Sequence, residues 1–438
     1  MMSLKISCFI LLLSTSLQAQ QVYTLQECLK NGLENNFEVR IVRNEQQISK
    51  NNASLGNAGL LPTLDLAAGY NGSLNDRNEK YSDGTSAEIN DLFNQGANVG
   101  LNLGWTIFDG FSMQTNYKQL KAFAQLGDIA TRLTIENMLA DLSAEYFNFV
   151  HQNLRLSKLQ YAVELSKERL RIAEAHYVIG SKSRLDFQQA KVDFNADSSQ
   201  LIKQYETVHT SAVKLNRLMA EDDVSQAFVA ADTMIRLNPI LNQDDLWTKT
   251  LSVNAQLLMA EKNQTISALD LKAVQSRNYP YLKLNAGYGY TLALSNQATT
   301  RRQNTLGFNY GLTLGFPIYD GNNRVREQKN AKIALKNQQL KTQQLEMSLK
   351  ADLATLWTAY TNNINLTNLE KENLIVAHDA YENAMERYKL GDLSGIELRE
   401  AQNSLLEAEE RLLQAQYNTK ICEISLLQIS GQITDYLN

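Results

Sequence analysis

The sequence predicts a mostly α-helical chain with a membrane β-barrel portion. It is internally duplicated, with four strands per protomer that close as a trimeric 12-stranded barrel, continued by a long α-helical barrel. Three observations carry this. The stretch Leu101-Asn102-Leu103-Gly104-Trp105-Thr106-Ile107-Phe108-Asp109-Gly110 returns as Leu312-Thr313-Leu314-Gly315-Phe316-Pro317-Ile318-Tyr319-Asp320-Gly321, 211 residues later. Each copy alternates apolar with small or polar residues, the period of a strand with two different faces, and stops at Asp-Gly. After each Asp-Gly come about 70 residues of helical pattern without proline.

The chain opens on a secretory signal over residues 1–19. Lys5 is its positive region, Ile6 to Leu13 its apolar region, and Leu17-Gln18-Ala19 its small-residue cleavage site. Cys8 precedes most of the apolar run, the wrong place for a lipidated N-terminus. Beyond the signal only Cys28 and Cys422 remain, too few for a disulfide framework. Cys422 reads as a small packed residue rather than a bridge to Cys28. No later run of about 20 apolar residues could span a bilayer as a helix, so any membrane crossing must use strands. The net charge of −5 argues against a general nucleic-acid binder.

A first repeat covers 20–230. A short helix starts after Thr24 as N-cap, and a second fits Asn36 to Leu61. Strands follow at 62–72 and 97–108. Leu64, Leu66, Ala68 and Tyr70 share one face of the first, and Val99, Leu101, Leu103, Trp105 and Ile107 one face of the second. The polar stretch 72–96 between them reads as a loop. A long helix, 110–179, carries the stripe Leu139, Leu142, Tyr146, Phe149. After the reversal at Gly180 comes a helix, 182–220, with the stripe Phe187, Phe194, Leu201, Val208, Leu215, in which Asp197 and Gln204 blur the companion stripe.

A linker or equatorial region spans 231–245, and the second repeat spans 246–438. It has a helix over 250–279, strands at 280–292 and 306–318, a long helix at 321–390 and a final helix at 393–430. Leu398, Leu405, Leu412 and Leu426 of that last helix, with Ala401, Ala408, Ala415, Cys422 and Ile429, form a coiled-coil seam. Each long helix would extend roughly 105 Å. Helices 182–220 and 36–61, stacked end to end, sum to about 97 Å, so each half supplies one continuous and one composite helix. Four strands cannot close a barrel, and open edges in lipid leave peptide groups unpaired at several kcal/mol each. Two copies would make eight strands, too narrow for a channel, and three make twelve.

The duplicated strand-Asp-Gly-helix junction (Asp109, Gly110, Asp320, Gly321) and the Tyr-x-x-Gly turns (Tyr177 to Gly180, Tyr388 to Gly391) resemble the TolC-like outer-membrane efflux protein family. So do the repeat spacing and the ending Leu426-Leu427-Gln428-Ile429-Ser430-Gly431. The resemblance covers essentially all of the mature chain. It implies a homotrimer in outer-membrane lipid with a periplasmic helical tunnel. Such a trimer is the exit duct of a tripartite efflux pump or type I secretion system, working with a periplasmic adaptor and an inner-membrane RND or ABC transporter.

The resemblance also places acidic residues after the tip glycine at a pore constriction, which here gives Glu397 and Glu400. Two rings of carboxylates would favour cations. The relative compared has Asp at these positions and an Arg where this chain has Leu393. The tips, with Tyr177, Gly180, Ser181, Tyr388, Gly391 and Asp392, are the only chain reversals far from the strands, which makes them the expected adaptor-docking surface. The residues show no catalytic constellation, no cofactor motif and no metal set: His151, His176, His209 and His378 stand singly on helices. An exported coiled-coil scaffold with a soluble sheet is the alternative reading.

Overall fold

The computed structural model describes residues 22–237, 241–296 and 300–437. The expected signal at 1–19 lies outside these, as does Pro239 of the linker. The chain divides into two compact units. One gathers the described residues up to Ile41, Leu133–Asn254 and those from Ser348 onward; the other holds Val42–Arg132 and Ala255–Met347.

After a short strand β1 (Val22–Tyr23), Thr24 opens α1 (Leu25–Asn35) with a capping box. Its hydroxyl accepts from Glu27 N at 3.2 Å, and the Glu27 carboxylate accepts from Thr24 N at 2.8 Å. One residue, Asn36, separates α1 from α2 (Phe37–Asn52). The second helix is shorter than the expected 36–61. Past Asn52 the backbone makes irregular turn bonds, such as Ser54 N to the Asn52 carbonyl at 2.9 Å, and side chains add to them: Asn57 Nδ2 donates to the Asn52 carbonyl at 2.9 Å, and Ser54 Oγ accepts from Asn57 N at 3.2 Å.

Strands β2 (Thr63–Lys80) and β3 (Ser86–Phe108) form a long antiparallel hairpin. The stretch 72–96, expected as a loop, is therefore mostly strand around a turn at 81–85. Asn, Asp and Ser are poor strand formers alone, but a neighbouring strand satisfies their backbone groups. Then come α3 (Ser112–Val178) and α4 (Arg184–Met219). Strand β4 (Val229–Ala230) pairs in parallel with β1.

In the second repeat α5 (Gln243–Val253) and α6 (Ala255–Ser276) replace the single helix expected over 250–279. Asn254 interrupts it with ψ of 122°, outside the helical region. Strands β5 (Tyr281–Ser295) and β6 (Arg302–Gly315) complete a sheet of order β2-β3-β5-β6. The last strand ends before the expected 318, because Pro317 has no N–H to donate to a ladder. Helices α7 (Asn323–Lys389) and α8 (Gly395–Ile429) follow, and a 3₁₀ turn, Ile433–Leu437, comes after them. Both α3 and α7 have 67 residues, about 100 Å each.

The largest core of the helical unit packs Leu139, Leu142, Tyr146 and Phe149 of α3 against Cys28 and Leu29 of α1, Leu215 and Met219 of α4, and Phe228. A second cluster joins Ile172 of α3, Tyr381, Met385 and Tyr388 of α7, and Leu398 and Leu405 of α8. On α8 the seam residues Leu398, Leu405, Ala408, Ala415 and Leu426 are buried, while Leu412 is half-exposed. On α4 the expected order holds at Leu215, which is buried, and is inverted before it. Asp197, Gln204 and Ser211 are buried, whereas Phe187, Phe194, Leu201 and Val208 are half-exposed.

Candidate functional site

The sheet puts its apolar residues in register. Leu66 pairs with Leu101, Leu101 with Tyr288, and Tyr288 with Phe308. The rows beside it are Leu64, Leu103, Ala286, Tyr310 and Ala68, Val99, Tyr290, Leu306. This apolar face is open: Leu66 is 72% and Tyr310 79% exposed. The opposite face carries Asp65, Asn102, Gly287 and Asn309 in one row and Ala67, Gly100, Gly289 and Gly307 in the next. A Cβ on Gly100 would meet Gly289 Cα at 3.2 Å, so the strands cross closely there only because both are glycine. Within the described sheet β2 and β6 each have one unpaired edge.

Both strand–helix junctions are double left-handed turns. Gly110 (φ 73°) and Phe111 (φ 70°) follow Asp109; Gly321 (φ 70°) and Asn322 (φ 64°) follow Asp320. Each Asp then caps the coming helix. The Asp109 carboxylate accepts from Met113 N at 2.9 Å, and the Asp320 carboxylate from Arg324 N at 3.0 Å and Arg324 Nε at 3.1 Å. The glycines differ. A Cβ on Gly110 would strike the Ser276 carbonyl and Tyr279, while Gly321 is needed for its φ alone.

In the helical unit the two tip turns are built alike. Gly180 N donates to the Tyr177 carbonyl at 3.1 Å and Ser181 N to the His176 carbonyl at 2.9 Å. At the other tip Gly391 N donates to the Tyr388 carbonyl at 3.0 Å and Asp392 N to the Arg387 carbonyl at 3.0 Å. Both are Schellman caps with glycine at positive φ, 76° and 83°. Tyr177 stacks on Phe187 at 5.8 Å and stays partly exposed, but Tyr388 is only 5% exposed and lies parallel to the His176 ring. Tyr388 therefore holds the second tip against α3 and offers little surface. Val178, Ile179, Leu390 and Ile396 form the exposed apolar surface around the two glycines.

Glu397 and Glu400 are both exposed on the first turns of α8. The structure gives Glu397 a further task. Its Oε2 accepts from Ser394 N at 2.9 Å and Ser394 Oγ at 2.7 Å, closing the capping box that starts α8. These bonds hold its carboxyl below the usual range. Ser183 and Asp186 close the matching capping box of α4, the Asp186 carboxylate accepting from Ser183 N at 3.1 Å and Ser183 Oγ at 2.8 Å. Both boxes were legible as Ser-x-x-Asp and Ser-x-x-Glu directly after the tip turns.

Behind the tips lies an ion-pair network that the sequence pattern did not show. Arg399 of α8 binds Asp197 of α4 through two bonds, Nη1 to Oδ2 at 2.6 Å and Nη2 to Oδ1 at 2.7 Å. Ser166 of α3 bonds the same carboxylate and accepts from Gln402 of α8 at 3.0 Å. Farther along α4, Gln204 donates to the Gln152 carbonyl at 2.9 Å and Ser211 to Glu145 Oε1 at 2.6 Å. The signal was the heptad spacing of Asp197, Gln204 and Ser211 on one helix face. It looked like a defect in an apolar stripe because the partners come from α3 and α8, distant in sequence.

Cys28 and Cys422 are free thiols, and burial pushes Cys28 up to about 12. His151 is buried and stacks on Tyr417 at 5.0 Å; burial lowers it to about 4. His378 shares an exposed turn with Asp379 and Glu382, all three with ligand atoms within 4.8 Å of one another.

A family model described as Outer membrane efflux protein matches residues 28–221 and 246–432. Outer membrane protein TolC of Vibrio cholerae is 22% identical over 432 residues, 97% of this chain and 94% of that protein. Proteases secretion protein PrtF of Dickeya chrysanthemi is 19% identical over 97% of this chain and 91% of its own. Among solved structures, the Campylobacter jejuni CmeC outer membrane channel superposes with a TM-score of 0.79 at 16% identity, covering 93% of this chain and 85% of that one. The VceC outer membrane protein of Vibrio cholerae gives 0.77 at 15% identity, with 93% and 96% covered. Two matched repeats, four strands with one apolar face and two strand-to-helix junctions agree with that match, and the chain belongs to the outer membrane efflux protein family.

Proposed function

We propose that three copies of this outer-membrane protein close one twelve-stranded barrel, and that their helices form the periplasmic section of a passive exit duct. The observation that carries this is the exposed apolar face across β2, β3, β5 and β6, together with the unpaired edges of β2 and β6. In lipid that face is at home, but an unpaired edge is not. Pairing β6 of one copy with β2 of the next removes every edge once three copies meet. The face with Asn102, Asn309 and the glycine row then lines a water-filled lumen. A soluble scaffold would need a layer over Leu66, Tyr310 and their neighbours, which stay open in this sheet.

The energy comes from an inner-membrane RND or ABC transporter, linked by a periplasmic adaptor. The adaptor meets the tips at Tyr177, Gly180, Ser181, Gly391 and Asp392, where apolar side chains stand exposed; Tyr388 positions that surface from below. Glu397 and Glu400 form the cation-favouring constriction, Glu397 using only Oε2 for its cap. The reading is tested by native mass measurement in detergent followed by planar-bilayer recording. A trimer with steady conductance is expected. A monomer that stays soluble without detergent would overturn it.

A further inference from the structure

In the helical unit, a recess of about 30 Å³ opens between α3, one face of α4, Tyr388 of α7 and the start of α8. Arg169 of α3 reaches into it and is 2% exposed. Its Nη2 donates to Asp193 Oδ2 at 2.6 Å, but Nε and Nη1 are buried without an acceptor. Both oxygens of Asp193 and Oδ2 of Asp186, the two carboxylates in the wall, are already engaged. Asp193 Oδ1 accepts from Gln189 Nε2 at 3.1 Å, and Asp186 Oδ2 is held by the Ser183 amide and hydroxyl. Facing Arg169 are Gly395 and Ile396, the first two residues of the 35-residue helix α8. Their N–H groups have no intrahelical acceptor, and Ser394 Oγ accepts from Glu397 N instead. The recess therefore shows donors in excess at the positive end of a long helix.

We infer that this recess binds one small monovalent anion, chloride in ordinary solution, between the Arg169 guanidinium and the first amides of α8. A buried water needs about 10–15 Å³ of such space, so a recess of 30 Å³ takes a single monatomic anion and excludes larger organic ones. Burial lowers the Arg169 proton affinity in spite of Asp193 and Asp197 nearby, and a bound anion offsets that loss. The anion links Arg169 of α3 to the first turn of α8 just behind the second tip, beside the bond that Gln402 already makes to Ser166.

Crystals of the full-length protein in detergent, soaked in sodium bromide, test the site. The expected result is an anomalous peak within bonding distance of Arg169 Nε or Nη1 and of the Gly395 or Ile396 amide. Density at water strength with no anomalous signal would show that solvent fills the recess and would overturn the inference. A second measurement compares melting temperatures in sodium chloride and sodium gluconate at equal ionic strength. The native protein melts higher in chloride, and Arg169→Met abolishes the difference. Equal melting in the two salts for the native protein overturns the inference without relying on the variant.

Discussion

Asn36 joins two helices through one side chain. Its Nδ2 donates to the Leu218 carbonyl in the last turn of α4 at 2.9 Å, while its Oδ1 accepts from Glu38 N at 2.9 Å in the first turn of α2. An orphan acceptor of one helix and an orphan donor of the next are satisfied together. The second repeat has the donor half of this arrangement: Asn254 Nδ2 donates to the Ile429 carbonyl at 2.8 Å, and Ile429 lies 211 residues after Leu218.

Replacing Asn36 with Ala removes a cap and leaves the Leu218 carbonyl unpaired. The expected loss is about 2 kcal/mol, with a similar loss for Asn254→Ala. Denaturant melts followed by circular dichroism check this; an unchanged midpoint for both would show that water serves these groups equally well.

Arg399→Met leaves the buried Asp197 carboxylate without its cation. Breaking such a pair costs about 3–5 kcal/mol. The pair Arg399→Met with Asp197→Leu recovers most of that loss, because neither charge then remains buried. A double-mutant cycle on melting temperature tests the coupling; additive losses would contradict it.

Leu101 sits in the middle of the apolar row. Leu101→Arg is expected to cost about 2–4 kcal/mol if it faces the bilayer midplane, with loss of folded protein from the membrane fraction. Asn102→Arg, one residue away on the other face, leaves folding intact and shifts ion selectivity. Heat-modifiability on gels and bilayer recording separate the two.

Stability falls on acidification through His151. Burial lowers its folded value to about 4 from the ordinary 6.5. Above 6.5 both states are neutral and the group contributes nothing. Between 6.5 and 4 the unfolded state binds the proton and the folded state resists, so stability drops as pH falls. The shift corresponds to about 3 kcal/mol at most. His151→Gln is expected to flatten the melting temperature over that window; an unchanged slope assigns the acid sensitivity elsewhere.

At the tips, Ser181→Glu places charge beside an apolar surface and should weaken adaptor binding in pull-down while leaving the trimer intact. Glu397→Ala with Glu400→Ala should reduce cation selectivity. Ser394→Ala separates the two tasks of Glu397, since it removes the cap and keeps both carboxylates. Selectivity that follows Ser394→Ala as strongly as the double change would assign Glu397 to helix capping only.

The repeat, the period-two apolar faces and the Asp-Gly stops were legible because they depend on neighbours in the chain. Alternation fixes which side chains share a strand face, and Asp109 and Asp320 cap helices only four residues ahead. Thr24 was readable for the same reason. The extent of β2 and β3 was not, since Asn75 or Glu79 joins a strand only when a partner strand runs beside it. The burial of Asp197 was decided by Arg399, 202 residues away, and by Ser166 of α3. A carboxylate on a helix face reads as solvated until the fold brings a guanidinium to it. Local periodicity settled the elements and their faces; long-range pairing of polar groups, visible only in three dimensions, settled which of those faces is buried.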